Sequence, residues 1–166
     1  ASLESALGSM GPLPTQNSTK RLNIELGMPP GKILVDSNTN LIYVADRSGN
    51  SITIVSGLTN KSIGTITVGK SPSDIVVNPS TNRIYISNIN SQSISVISES
   101  TNKVVATIPV GDGPSSMAIN THTNMIYVAN MESNTVSVIN GTTNSVVSTL
   151  NLCNLYGTNF AVDESA

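Results

Sequence analysis

The residue types that most often carry catalysis or bind metals are scarce in this chain. Its 166 residues include one histidine, His122, and one cysteine, Cys153. A Ser-His-Asp triad needs an imidazole, and metal or haem sites need several His, Met or Cys ligands that converge on one point. The phosphate loop, the Cys-x-x-Cys pair and the Gly-x-Ser-x-Gly elbow are all absent from the sequence. The composition therefore predicts a protein that is not an enzyme and has no cofactor or metal.

Charged residues are few, and they are spread along the chain. Lys and Arg number 8, Asp and Glu number 10, and together they make up 11% of the residues, with a formal net charge of −2. A nucleic-acid binder is expected to cluster its basic residues, and a membrane-spanning helix needs a run of about 18 apolar residues. Neither pattern occurs in this sequence. We therefore expect no nucleic-acid partner and no insertion into a membrane.

A repeat of 42 residues determines which elements must position any site. The copies begin at Gly27, Gly69 and Gly111, and the third ends at Leu152. In the middle copy, runs rich in β-branched residues occupy residues 74–78, 83–88, 93–98 and 104–110, with turn-forming residues between them. A period near 40 with four short strands per copy is typical of a propeller blade. The sequence predicts an all-β propeller segment of about 3.5 four-stranded antiparallel blades.

The repeat also predicts how the chain is divided. Residues 1–19 are rich in Ser, Gly and Pro and are expected to be a flexible leader or a cloning remnant. The propeller is expected to fill residues 20–166, as an outer strand at 20–26, blades at 27–68, 69–110 and 111–152, and the start of a further blade at 153–166. Because propellers usually close with four or more blades, we expect either a piece of a longer propeller or a ring that closes by self-association.

The second strands read Tyr43-Val-Ala-Asp46, Tyr85-Ile-Ser-Asn88 and Tyr127-Val-Ala-Asn130. An Asn-Pro-Ser-Thr-Asn turn at 78–82 and a Val-Gly-x-x-Pro junction at 68–72 and 110–114 accompany them. On these motifs the chain resembles the YVTN-repeat β-propeller family from about residue 22 to 163. The resemblance implies an extracellular or cell-surface protein, surface-layer-like proteins included, with the periplasm as an alternative.

Two functions remain open at this point. The first is a non-enzymatic module that binds a protein or a glycan, or that forms part of the cell envelope. The alternative is a fragment of a propeller enzyme, lactonase-like or lyase-like, whose catalytic residues lie on missing blades. Several convergent His or acidic side chains around the channel would favour the enzyme, and a channel lined by Ser, Asn and aliphatic residues would favour binding.

Comparison of the three copies separates the two faces of the predicted disc. On one face, here the turn face, the turns after the first and third strands keep a Thr-Asn pair in every copy. On the other face, here the loop face, the turns after the second strands and the junctions between blades vary. Variable loops on a rigid scaffold are where propellers recognise ligands. The predicted binding residues of the loop face are Lys32, Asp46, Arg47, Lys70, Asp74, Asp112 and Glu132.

Two repeated columns are expected to serve the architecture. Tyr43, Tyr85 and Tyr127 are predicted to pack between sheets. Asn40, Asn82 and Asn124 are predicted to hold their turns and to tolerate left-handed backbone. The sequence also contains three possible N-glycosylation acceptors, at Asn17, Asn60 and Asn140.

Overall fold

The computed structural model describes residues 30–152, and within them the chain forms three four-stranded antiparallel sheets. This confirms the predicted fold class, a partial β-propeller. The outer strand predicted at 20–26 and the further blade predicted at 153–166 lie outside the described residues. The strands are β1 Pro30–Asp36, β2 Leu41–Asp46, β3 Ser51–Ser56, β4 Lys61–Thr67, β5 Pro72–Asn78, β6 Arg83–Asn88, β7 Ser93–Ser98, β8 Lys103–Pro109, β9 Pro114–Asn120, β10 Met125–Asn130, β11 Thr135–Asn140 and β12 Ser145–Asn151, with a 3₁₀ helix at Ile89–Ser91.

Each sheet pairs its strands in chain order, so the first strand of each copy lies innermost and the fourth lies outermost. The innermost strands are neighbours, because β5 packs against β1 on one side and against β9 on the other. The alternating strand direction places the turns of the loop face together and those of the turn face at the opposite end. Among residues 30–152 there is no helix long and apolar enough to span a membrane.

The turns use left-handed asparagines, as the sequence predicts. Asn40, Asn82 and Asn124 have φ values of 55°, 51° and 54°. Asn tolerates this region better than other non-glycine residues. The same backbone recurs at the ends of the other hairpins, at Asn50, Asn60, Gln92, Asn102, Asn134 and Asn144. Repetition of one turn geometry therefore fixes the register of every hairpin.

The outermost strands carry a β-bulge that the sequence did not predict. In β4, Gly64 pairs with Ile54 and Ser62 pairs with Val55, which leaves Ile63 without a partner on β3. Val105 and Val147 occupy the same position in β8 and β12. All three are about half exposed, at 57%, 49% and 54%. A bulge interrupts the ladder at an open edge, which makes that edge a poorer template for another strand.

The core lies between the sheets. Tyr43, Ile52 and Ile66 of the first sheet pack with Ile75 of the second. The second interface repeats this arrangement, with Tyr85, Ile94 and Ile108 against Met117. Tyr43 and Tyr85 are fully buried, as predicted for packing between sheets.

The two outer sheet faces of the described residues are open. Tyr127 is only half-buried, and Leu150 is 47% exposed where the corresponding Ile66 is 7% exposed. At the other end Ile33 and Val35 of β1 are exposed, while Ile75 of β5, at the position of Ile33, is buried. Burial therefore depends on having a neighbouring blade, as expected for a repeat architecture.

Candidate functional site

The structure places the predicted binding residues on one face. Backbone hydrogen bonds join the junctions to the second turns: Asn90 N donates to Lys70 O at 3.2 Å, and Glu132 N donates to Asp112 O at 3.1 Å. Binding by these residues stays a prediction. Lys32, Arg47, Lys70, Asp112 and Glu132 are exposed, Asp46 is half-buried and Asp74 is buried.

Asp74 is the buried carboxylate of this face, with 8% of its surface exposed. Its Oδ2 accepts a hydrogen bond from Met117 N of the third sheet at 2.8 Å, and its Oδ1 accepts one from Ile75 N at 2.9 Å. Lys32 Nζ of the first sheet lies 3.6 Å from Oδ1. Lys32 and Asp74 occupy equivalent positions in successive repeats. Asp74 contacts Lys32 of the first sheet and Met117 of the third, so side chains at this position connect the three sheets.

Ser87 supports Asp74, and the sequence contains only a faint signal of this. Its hydroxyl accepts a hydrogen bond from Asp74 N at 3.0 Å and donates to Ser115 O of the third sheet at 3.1 Å. Ser73 joins the same cluster, 2.9 Å from the Ser87 hydroxyl. Ser87 is fully buried. The signal was that the other two copies have alanine here, Ala45 and Ala129.

This arrangement holds a carboxylate between the sheets beside an ammonium group. Both oxygens of Asp74 already accept backbone N–H groups, so the carboxylate is held as an anchor between sheets. Lys32 has a side chain that is 60% exposed and offers an ammonium group beside that anchor. Within residues 30–152, no three His, Cys, Asp or Glu side chains converge as a metal site would require.

A groove of about 510 Å³ opens between the first two sheets near the loop face. The groove lies toward the outermost strands, since Thr67 of β4 and Thr107 of β8 line it. The polar side chains of its lining are mainly those of Ser and Thr. Its lining contains no ionisable side chain, so it can bind through hydrogen bonds but cannot transfer protons. The hydroxyl-bearing residues are Thr67, Ser91, Ser93, Ser95 and Thr107.

The perturbed ionisable groups lie on the turn face. Burial, followed by the negative charges of Glu99 and Asp36, raises the pKa of Tyr43 to about 12. Burial and then Asp36 raise the pKa of Glu99. Burial also raises the pKa of Tyr85, against a smaller lowering by Arg83. These groups were not predicted as a site from the sequence.

The predicted glycosylation acceptors differ in accessibility. Asn60 lies exposed in a turn of the turn face. Asn140 ends β11 half-buried, and its Oδ1 accepts a hydrogen bond from Thr142 N at 2.8 Å. Asn17 lies outside the described residues. Glycosylation at all three stays a prediction, as do a protein or glycan ligand and self-association.

Solved structures with the same fold include several propeller proteins. The chain is similar to the hydrazine synthase of Kuenenia stuttgartiensis at 26% identity and a TM-score of 0.70, covering 80% of this chain and 38% of that one. It is similar in fold to the dihydro-heme d1 dehydrogenase NirN at 16% identity and a TM-score of 0.63, covering 77% and 27%. AztD from Citrobacter koseri gives 16% identity and a TM-score of 0.62, covering 78% and 35%. The chain thus spans well under half of each of these proteins.

No match was found among curated proteins. A family model does match, that of "Lactonase, 7-bladed beta-propeller", over residues 55–153. This match overturns one expectation from the sequence. The prediction that the protein is not an enzyme is wrong, because the scarcity of His and Cys within three blades does not describe the channel of a seven-bladed ring. Since the match covers more than half of its residues, the chain belongs to the lactonase family of seven-bladed β-propellers.

Proposed function

We propose that these sheets form part of the wall of a propeller enzyme that opens a lactone ring by hydrolysis. The observation that carries the proposal is the family match over residues 55–153. Lactone hydrolysis consumes one water and yields a hydroxy acid, which releases one proton near neutral pH. Negative charge develops on oxygen in the transition state, so an ammonium group near the reacting carbonyl lowers the barrier.

Lys32 is the residue of this chain that we assign to substrate binding. Its side chain is 60% exposed, and Asp74, 3.6 Å away, holds its ammonium group at the innermost strand. In a closed propeller the innermost strands surround the central channel, where their loop ends form a mouth. Lys32 would therefore meet the carbonyl or carboxylate oxygen of a substrate at the mouth of that channel.

The groups that activate water are assigned to blades other than these three. Asp74 is buried and pairs with Lys32 as well as accepting two backbone N–H groups, and the sole histidine, His122, lies exposed in a turn of the opposite face. Neither is placed to take a proton from water beside Lys32. These sheets would supply orientation and a positive charge, and the rest of the ring would supply the base.

The test is a lactonase assay on the protein that carries these blades. Five- and six-membered sugar-acid lactones are offered, and acid release is followed with a pH indicator against the uncatalysed rate. Lys32→Met is expected to raise KM by about tenfold, the loss of one charge-assisted contact. Lys103→Met, at the turn-face end of β8, is the matched control and should leave KM unchanged. Hydrolysis no faster than the blank across the panel would refute the proposal.

The finer family assignment is also proposed, namely a YVTN-type propeller that is exported. The recurring second-strand motif at Tyr43, Tyr85 and Tyr127 and the low charge content of 11% support it. Fractionation of the producing cells tests it. The protein is expected outside the cytoplasmic membrane, and recovery in the cytoplasm alone would count against export.

A further inference from the structure

The two junctions between sheets differ on the turn face. In the junction of the second and third sheets, Asn78 Nδ2 donates to Asn124 Oδ1 at 2.7 Å. The hydroxyl of Tyr85 lies beside Gly141, where a Cβ atom would be only 2.8 Å from it. This junction is therefore closed by a neutral amide pair, with a glycine beside the tyrosine.

The first junction carries acids at the same two positions. The 42-residue repeat puts Asp36 where the second junction has Asn78, and Glu99 where it has Gly141. A carboxylate has no N–H, so Asp36 cannot donate to Asn82 as Asn78 donates to Asn124. Glu99 adds a second carboxylate on the side of Tyr43. An amide and a glycine are thus replaced by two negative charges.

Asp36 and Tyr43 are buried and Glu99 is half-buried, and the bonding capacity of these groups is not filled. Asp36 is 4% exposed; its Oδ1 accepts from Asn38 N at 3.0 Å and its Oδ2 from the Thr39 hydroxyl, which leaves one lone pair on each oxygen. Oε1 of Glu99 is buried without a hydrogen-bond partner. Tyr43 is fully buried, and its hydroxyl has no partner; the same holds for Tyr85 in the second junction, so the two acids are what distinguish the first.

Within residues 30–152, no lysine or arginine forms an ion pair with Asp36 or Glu99. The one ion pair found within residues 30–152 joins Lys32 to Asp74 at the loop face. The three groups interact electrostatically. After burial, the charges of Glu99 and Asp36 raise the pKa of Tyr43, and that of Asp36 raises the pKa of Glu99. Burying carboxylates without a counter-charge is costly unless a cation or a proton compensates.

We propose that Asp36, Glu99 and Tyr43 form a binding site for a hard cation of the calcium class at the junction of the first two sheets. Ca²⁺ accepts carboxylate, hydroxyl and water oxygens in a flexible shell, which suits two carboxylates and one phenol oxygen. Glu99 is half-buried next to the exposed Ser100, so the site can be reached from solvent. With two carboxylates only, the affinity belongs to the weak range, with Kd about 10⁻⁴ to 10⁻³ M. This site is independent of the proposed lactonase function.

The first test is thermal unfolding of the chain at pH 7.5 after removal of divalent ions with a chelator. Adding 10 mM CaCl₂, roughly ten times the weaker Kd, is expected to raise Tm by about 3 °C or more over NaCl of equal ionic strength. Glu99→Gln and Asp36→Asn are expected to abolish that rise. Asp112→Asn, which removes an exposed acid from the loop face, should keep it. No calcium-specific rise in the unmodified chain, or an equal rise in Glu99→Gln, would overturn the proposal.

A second measurement does not depend on stability. Tb³⁺ replaces Ca²⁺ at oxygen sites, and its luminescence is excited through a nearby tyrosine. We expect Tb³⁺ luminescence that is lost when excess Ca²⁺ displaces the ion and that is absent from Tyr43→Phe. Tyr85→Phe should keep the luminescence, because neither Asp36 nor Glu99 lies at the junction of Tyr85. A signal unaffected by Tyr43→Phe would place the ion elsewhere and reject the site. If acid raises Tm while Ca²⁺ and Tb³⁺ do nothing, the occupant is a proton and the cation proposal fails.

Discussion

Removal of the Asp74 carboxylate is expected to be the most damaging polar change at the sheet junctions. Asp74→Ala leaves the buried N–H of Met117 without its acceptor, and that hydrogen bond to a charged group is worth about 1.5–3 kcal/mol. The pair with Lys32 adds about 0.5 kcal/mol or less, because the lysine side chain is 60% exposed and water screens it. We therefore expect the free energy of unfolding to fall by about 3 kcal/mol.

Urea unfolding followed by circular dichroism measures this change as a lower midpoint at constant m. Lys32→Met is the control for the ion pair and should cost about 0.5 kcal/mol or less. Asp74→Asn keeps an acceptor for Met117 N without the charge and should fall between the two. If Asp74→Ala costs no more than Lys32→Met, the hydrogen bond between sheets does not stabilise the fold and the reasoning is refuted.

Three further outcomes follow from the turn face and the glycines. Burial and Asp36 raise the pKa of Glu99, so the folded chain binds a proton on this carboxylate more tightly than the unfolded chain. In the presence of a chelator, the free energy of unfolding should therefore rise as pH falls from neutral toward 4.5. Urea titrations measure this slope, and Glu99→Gln should flatten it. Tyr43→Phe removes a buried hydroxyl without a partner, and in chelator it should change the urea-derived free energy by less than about 1 kcal/mol, in the stabilising direction. Gly141→Ala should cost about 2 kcal/mol, because its Cβ would clash with Asn124 Oδ1 and lie 2.8 Å from the Tyr85 hydroxyl. Gly64→Ala meets nothing within 4 Å and should stabilise by about 0.5 kcal/mol. Equal effects at both glycines in thermal scans would contradict the packing argument.

The repeat made most of the fold predictable. Three copies of one pattern average out local ambiguity, so the strands Arg83–Asn88 and Ser93–Ser98 end where the sequence predicted. The same averaging identified the left-handed asparagines, because one residue type recurs wherever the turn needs that backbone. The tyrosine column was likewise assigned to the space between sheets, where Tyr43 and Tyr85 are buried.

The bulges escaped prediction for a physical reason. Ile63, Val105 and Val147 sit among other β-branched residues, and an apolar residue left out of the ladder has the same composition as one within it. Pairing depends on the partner strand, which sequence periodicity does not report. The bulge therefore appears only once the register is known.

The enzyme prediction failed for a related reason. Histidines and acids were counted along one chain, while a propeller site is assembled from loops that many blades bring to one channel. Asp74 was predicted as a binding residue of the loop face, which stays a prediction, and its two backbone N–H partners come from geometry that the sequence does not contain. Its role as an anchor between sheets could not have been distinguished from binding before the structure.

Departures from a repeated column mean different things on the two faces of this fold. On the loop face the variable residues Lys70, Asp112 and Glu132 are exposed, so a change there costs little and carries little information by itself. On the turn face Glu99 occupies the position at which the other two copies have Gly57 and Gly141, and both glycines are closely packed. Glu99 also brings a carboxylate to a buried tyrosine. Such a change is costly unless something compensates for it. A single exception in a closely packed column is therefore stronger grounds for a ligand than broad variation on an exposed one. For this reason the junction of Asp36, Tyr43 and Glu99 is the part of the turn face where we expect binding.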